Sequence, residues 1–120
     1  MASQISAHIS TGQNGEDAAA KYLQKKGYTI VKRNYRHRRA EVDIIAIQDE
    51  VLVFVEVKTR SSATFGFPEE AVSARKEAQL LTAADEYIHK AGWEKEVRFD
   101  IIAITLAPEM EIHHIEDAFH

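Results

Sequence analysis

Residues 41–58 read Glu41-Val-Asp43-Ile-Ile-Ala-Ile-Gln-Asp49-Glu50-Val-Leu-Val-Phe-Val-Glu56-Val-Lys58. Two apolar, β-branched runs flank the polar pair Asp49-Glu50, which is the pattern of a β-hairpin. With those two residues as the turn, paired positions sum to 99, so Asp43 faces Glu56 and Glu41 faces Lys58. Directly opposed residues have Cβ atoms about 4.5–5.5 Å apart. This register therefore gathers three carboxylates and one ammonium on one face. A four-residue loop over 48–51 keeps the pairing. A three-residue loop breaks it, because a one-residue slip sends a side chain to the other face.

Charges like these can also form a solvated ladder on the open face of an antiparallel sheet. That arrangement needs clean alternation, and these strands lack it. Ile44, Ile45, Ala46 and Ile47 run together, as do residues 51–55. Continuous apolar runs point to strands covered on both faces. Charges at the ends of such strands are costly unless paired or bound to metal. The cluster therefore reads as a site, with a plain ion pair from Asp43 or Glu56 to Lys58 as the structural alternative.

The segments before the hairpin carry further candidates. Residues 1–10 are polar with scattered Ile and are expected to fray. A helix follows, with Thr11 or Asn14 as N-cap and Gly27 just past its end. Ala19, Tyr22 and Leu23 form its apolar positions, while Lys21, Gln24, Lys25 and Lys26 face water. Glu16 falls in the first turn. There it either complements the helix dipole, worth about 0.3–1 kcal/mol, or belongs to the site. Residues 28–33 alternate as a short strand. Residues 32–39 then hold Lys32, Arg33, Arg36, Arg38 and Arg39 around one aromatic, Tyr35. Phosphate contacts come chiefly from such residues. A solvated connection is the alternative, but the cluster leads directly into Glu41 and Asp43.

After the hairpin, residues 59–68 read as a loop containing Phe65-Gly66-Phe67-Pro68, and Pro68-Glu69-Glu70 suits the opening of a helical turn. A longer helix is expected over 73–90. Leu80, Leu81, Ala84, Tyr87, Ile88 and Ala91 repeat at helical spacing and form its buried face. Arg75 and Lys76 lie near its start, where a cation is poorly placed for the dipole; they are either solvated or phosphate contacts. Gly92 ends that helix, residues 97–106 form a strand interrupted by Asp100, residues 107–110 turn, and residues 111–115 form an edge strand. The order α-β-β-β-α-β-β predicts one α/β domain spanning 1–120, with helices flanking a central mixed sheet.

Composition narrows the chemistry. With 120 residues, 45% of them hydrophobic, the chain can bury one real core. It has no cysteine, which excludes disulfides and thiolate metal sites. Its six histidines never take a two-ligand spacing on a helix, and His113 and His114 point to opposite faces of a strand, so no zinc site is expected. There is no glycine-rich phosphate loop and no Gly-x-Ser-x-Gly elbow. No run suits a membrane span and the start lacks a signal-peptide pattern, so the expected location is cytoplasmic, with no membrane partner. The net charge of −4 argues mildly against nucleic acid. Its distribution argues the other way: residues 1–60 carry +3 and residues 61–120 carry −7, so the basic part adjoins the carboxylates.

Asp43 and Glu56 are hard oxygen ligands, suited to Mg²⁺ or Mn²⁺. Such an ion can activate water and neutralise charge on a phosphodiester. Lys58 projects from the same strand face as Glu56 and could steady the transition state.

Asp43, twelve intervening residues and then Glu56-Val57-Lys58 resemble the Asp…Glu-x-Lys core of the PD-(D/E)XK nucleases. The likeness extends over Gly15-Glu16-Asp17, Lys26-Gly27-Tyr28, Asn34-Tyr35-Arg36, Arg39-Ala40-Glu41-Val42-Asp43, Glu56-Val57-Lys58-Thr59-Arg60, Phe65-Gly66-x-Pro68 and Arg98-Phe99-Asp100. Together these motifs resemble the YraN-type family of small bacterial proteins, itself similar to archaeal Holliday-junction resolvases. The resemblance implies a restriction-endonuclease-like α/β fold and a Mg²⁺- or Mn²⁺-dependent endonuclease acting on DNA, including branched DNA. It also implies that Asp43, Glu56 and the Val57 backbone carbonyl hold the metal, that Lys58 is the catalytic lysine, and that Glu16 is an additional acid beside Glu41. Lys32, Arg33, Arg36, Arg38, Arg39, Arg60, Arg75 and Lys76 are then the candidates for binding nucleic acid, and a homodimer is left open. Ala40 departs from the glycine usual in the family; if that position needs a positive φ, alanine is strained and shifts Glu41. Two other functions fit parts of the chain: a non-catalytic nucleic-acid-binding module, and an interaction domain whose acidic second half meets a basic protein.

Overall fold

A computed structural model describes residues 11–62 and 74–119, with side chains for residues 15–60 and 74–119. In chain order the elements are α1 (Thr11–Lys25), β1 (Thr29–His37), β2 (Ala40–Gln48), β3 (Val51–Ser62), α2 (Ala74–Ala91), β4 (Glu96–Ala107) and β5 (Glu111–Ile115). The expected order holds. The strands form one five-stranded sheet in the order β1-β2-β3-β4-β5. Neighbours are antiparallel except β3 and β4, which run parallel. A parallel pair needs a long crossover, and the segment containing α2 supplies it. No helix among the described residues is long and apolar enough to cross a membrane.

The hairpin forms in the expected register. Ile44 pairs with Val55 and Gln48 with Val51, around a two-residue turn in which Asp49 takes φ 56°. Both helices stop the same way. Gly27 at φ 95° lets Tyr28 N–H reach back to the Leu23 carbonyl at 2.9 Å, and Gly92 at φ 65° lets Trp93 N–H reach the Ile88 carbonyl at 3.1 Å. A left-handed residue after the last turn closes the helix's free carbonyls, and glycine adopts it without a steric cost.

Among the described residues, one helix packs on each face of the sheet. Ala19, Ala20 and Leu23 of α1 pack with Ile44, Ala46, Val53, Val55, Ile102 and Ile104. Leu80, Ala83 and Ala84 of α2 pack with Val42, Ile45, Leu52 and Phe54. Cover on both sides explains the unbroken apolar runs in β2 and β3.

Several boundaries differ from expectation. β1 continues to His37 instead of ending at residue 33, so the basic stretch is an edge strand and its turn. β3 continues to Ser62, because β4 pairs with it as far as Ala107; residues 59–62 are strand and not loop. On α2, Leu81 is 42% exposed and Ala91 is also exposed, whereas Ala83 is fully buried. The stripe facing the sheet is 80, 83, 84 and 87, and residue 81 lies a further 100° round the helix. The expected fraying of residues 1–10, the Phe65-Gly66-Phe67-Pro68 segment and the Pro68-Glu69-Glu70 turn lie outside the described residues.

Candidate functional site

The site arises where alternation in β1 and β2 breaks. Arg33 pairs with Ile44 and Tyr35 with Val42. Ile44 packs on the α1 side and Val42 on the α2 side, although they are two residues apart. Arg33 likewise turns to α1, bonding Glu16 and Asp17, while Tyr35 stacks edge-on against Tyr87 of α2. Two residues apart on a regular strand share a face. Here both strands change face together, at Asn34 and Asp43. Asn34 absorbs the change at φ 55°, a left-handed conformation that asparagine tolerates better than most residues.

The β2–β3 ladder ends at the same place. Ile44–Val55 is its last pair, one step short of the expected Asp43–Glu56 pair. The Asp43 carboxylate takes over: Val57 N–H donates to Asp43 Oδ2 at 2.8 Å. Glu16, Asn34, Glu41, Asp43, Val57, Lys58 and Thr59 surround a cavity of about 470 Å³ at this split. Glu16 reaches it because α1 approaches β3 closely at Gly15, where an added methyl group would collide with Thr59 Oγ1. Arg33 at 2.7 Å and Asn34 at 3.2 Å both donate to Glu16 Oε1 and fix the carboxylate there. The helix begins at Thr11, so Glu16 lies past the first turn and the dipole account of it falls away.

The electrostatics of the acids are unusual. Burial, then the nearby Glu56 charge, push Asp43 up to about 7, against the opposing Val57 N–H and Lys76. Glu56 is 3% exposed. Its Oε2 lies 3.3 Å from Lys76 Nζ, and its Oε1 has no hydrogen-bond partner among the described residues. Such a buried, unsatisfied oxygen costs about 1–3 kcal/mol. The structural alternative, an ion pair from an acid to Lys58, is not the pair formed. Lys58 lines the cavity, and the ammonium on Glu56 comes from α2.

The other candidates fall into two groups. Arg33 is committed to Glu16 and Asp17. Arg36 is 74% exposed, with Glu41 at 3.6 Å, and Lys32, Arg38 and Arg39 are exposed on β1 and its turn. Arg75 is exposed at the start of α2, and Arg60 is half-buried on β3. Ala40 is buried at the start of β2 and does not take a positive φ; Arg38 is the left-handed residue of that turn. The feared strain at Ala40 is absent.

Two features were not anticipated from sequence. One is Asn34, whose signal was an asparagine inside a strand-like run. The other is a buried network on the α1 face. His114 Nε2 lies 2.7 Å from Asp100 Oδ2, and His114 Nδ1 lies 3.1 Å from Tyr22 Oη. Arg98 donates to both Asp100 oxygens at 2.9 Å and to Tyr28 Oη at 2.7 Å.

Can the cavity hold a cation? Among the described residues no three His, Asp or Glu side chains form a ready-made cage. Hard-oxygen donors are nonetheless at hand: Asp43, which lines the cavity and whose ionised form is disfavoured, and Glu56, outside the lining but near enough to raise Asp43, whose Oε1 is unsatisfied among the described residues. A divalent cation relieves both conditions at once. The residues fit such an ion.

Fold and site together define an α/β domain whose mixed sheet splits beside two mutually repelling carboxylates, half-buried Asp43 and buried Glu56. The chain belongs to the YraN-type family described as "Uncharacterised protein family UPF0102", whose model matches residues 15–104. It is 46% identical to a UPF0102 protein of Flavobacterium psychrophilum, an alignment covering 94% of this chain and 96% of that one. UPF0102 proteins of Rhodococcus jostii and Prosthecochloris aestuarii are each 44% identical, covering 93% and 90% of this chain and 98% and 91% of theirs.

Proposed function

We propose that the chain is a divalent-metal-dependent endonuclease that hydrolyses DNA, with branched structures among its substrates, on a restriction-endonuclease-like PD-(D/E)XK core. The observation that carries this reading is the acid pair: Glu56, buried with one oxygen unpartnered among the described residues, helps hold Asp43 up to about 7. Displaced pKa values of this kind gather at functional sites. Asp43, Glu56 and the Val57 carbonyl would hold Mg²⁺ or Mn²⁺. When bound, the ion lowers the pKa of water and offsets charge on the phosphodiester. Lys58 lines the cavity and would supply positive charge to the transition state. Glu16, fixed by Arg33 and Asn34, orients water or a further ligand in the same cavity. Lys32 and Arg36 on the edge strand, with Arg38 and Arg39 on the turn after it, are exposed and suit the phosphate backbone.

A second reading has one observation in its favour. Lys76 already neutralises part of Glu56, as it would in a nucleic-acid-binding module without catalysis. Mn²⁺ titration with cleavage assays on junctions, flaps and plain duplexes separates the two. The nuclease reading expects metal-dependent cleavage that Asp43→Ala and Glu56→Ala abolish while the fold survives. Salt-sensitive binding with no cleavage at any metal concentration would establish the module.

A further inference from the structure

Lys76 sits where a solvent-facing cation gains little. It lies in the first turn of α2, beside the positive end of the helix dipole. Its side chain is 41% exposed, yet the ammonium is placed 3.3 Å from Oε2 of a carboxylate that is 3% exposed. A long lysine stem can lie along apolar surface while its head seeks charge. Here the head turns inward, to an acid that β3 holds between Val55 and Val57 on the face opposite theirs.

The same carboxylate is central to the metal site proposed above, and this inference rests on that reading. Glu56 has two oxygens: one meets Lys76 and one has no partner among the described residues. A divalent ion shared by Asp43 and Glu56 brings two positive charges to a place already served by one. Cations crowded around a single carboxylate repel each other strongly in a poorly hydrated pocket. We propose that Lys76 is a built-in competitor of the metal: its ammonium and the divalent cation exclude one another at Glu56, so Lys76 sets the metal affinity and turns outward when the ion binds. The displaced ammonium then stands at the N-terminal end of α2, beside Arg75, ready to meet a substrate phosphate. Metal loading and phosphate binding are thereby coupled through one side chain.

Mn²⁺ binding, read as the decrease of the free-ion signal in electron paramagnetic resonance, tests this without relying on cleavage. Lys76→Gln should bind Mn²⁺ about tenfold more tightly than the wild type, a modest value because the lysine head is partly solvated. Arg75→Gln removes the same charge one residue away from an exposed position and serves as the control. Its affinity should change less than threefold. A gain in Lys76→Gln no larger than that in Arg75→Gln overturns the competition and leaves the metal site standing. Tighter binding in Lys76→Gln alone supports it, including the case where wild-type binding is too weak to detect. Absence of Mn²⁺ binding in both wild type and Lys76→Gln at millimolar ion removes the metal site itself, and the competition with it.

Discussion

Asp100 and the pair of half-buried Asp43 and buried Glu56 are carboxylates of one sheet, and they have opposite fates. At Asp100, burial pushes the pKa up, but hydrogen bonds from His114, Arg98 and the Asp117 N–H outweigh it and hold the group below its ordinary range. Both oxygens are served, at 2.7–3.1 Å. At Asp43, burial and Glu56 act in the same direction, and the Val57 N–H and the Lys76 charge fail to offset them. Among the described residues, the first carboxylate is completed from within the chain and the second is left incomplete. An internally satisfied acid specifies structure; an unsatisfied pair has capacity for something from outside.

The largest expected effect breaks the satisfied side. Asp100→Ala leaves Arg98 and His114 without their shared acid, and loss of one partner of a buried pair costs about 3–5 kcal/mol. Chemical denaturation should show a correspondingly lower midpoint. A loss below about 1 kcal/mol would mean that Asp100 is no better integrated than the acids of the cavity.

Helix α1 ties the two regions together. Its Tyr22 reaches the Asp100 network through His114, and its Gly15 abuts Thr59 at the cavity. In an ordinary helix interior, Gly→Ala gains up to about 1 kcal/mol. At Gly15 the sign should reverse, because the new methyl group meets Thr59, and overpacking costs about 1–3 kcal/mol. Thr59→Ala should recover part of the loss in the double variant. A stabilised Gly15→Ala would show that α1 does not need this close approach to present Glu16.

Asp43 supplies a test of opposite sign to that at Asp100. Unfolded, its carboxyl ionises near 3.9; folded, it ionises at about 7. Between those values the folded protein holds a proton that the unfolded chain has released. Its contribution to stability is therefore full below about pH 4 and is lost as pH rises to 7, by up to about 1.4 kcal/mol per unit. Asp100 behaves inversely: its contribution is present above the ordinary carboxylate range and is lost as pH falls through the depressed folded value. Asp43→Asn should flatten the decline between pH 4 and 7 and raise stability at pH 8 by about 0.5–2 kcal/mol. If Asp43→Asn melts below the wild type at pH 8, Asp43 belongs with Asp100 as a structural group.

The satisfied region was the harder one to read from sequence. Hairpin register, element order and both glycine stops follow from local rules, because neighbouring residues decide them. Asp43, Glu56 and Lys58 are close in sequence across one tight turn, so the turn alone brought the acids near each other. Lys76 reaches Glu56 from a helix beyond residues 63–73, and no local pattern encodes that meeting. The His114–Asp100–Arg98 network joins two strands with Tyr22 and Tyr28, across as many as 92 positions of sequence. The face change at Asn34 and Asp43 was hidden for a different reason: it needs two strands to kink together, whereas periodicity considers one strand at a time.

The smallest effect on stability, and the last refinement of the contrast, lies among the arginines of β1. Arg33 is bound to Glu16 and Asp17, and those acids outweigh its burial and raise its pKa further. It belongs with the satisfied groups. Arg36 is 74% exposed, and Arg38 and Arg39 project from the turn after β1. They belong with the groups open to a partner. Replacing Arg36, Arg38 and Arg39 together with Ala should leave folding stability within about 0.5 kcal/mol for each position. The same variant should flatten the log–log salt dependence of duplex binding, by about 0.9 for each phosphate that is no longer neutralised. Arg33→Ala should do the reverse, lowering stability while leaving the salt slope nearly intact, because its charge is already spent on Glu16 and Asp17. An unchanged slope in the triple variant would move the binding surface off this edge strand. A slope reduced as much by Arg33→Ala would show that DNA draws Arg33 away from Glu16, so that the cavity acid and the phosphate compete for one guanidinium.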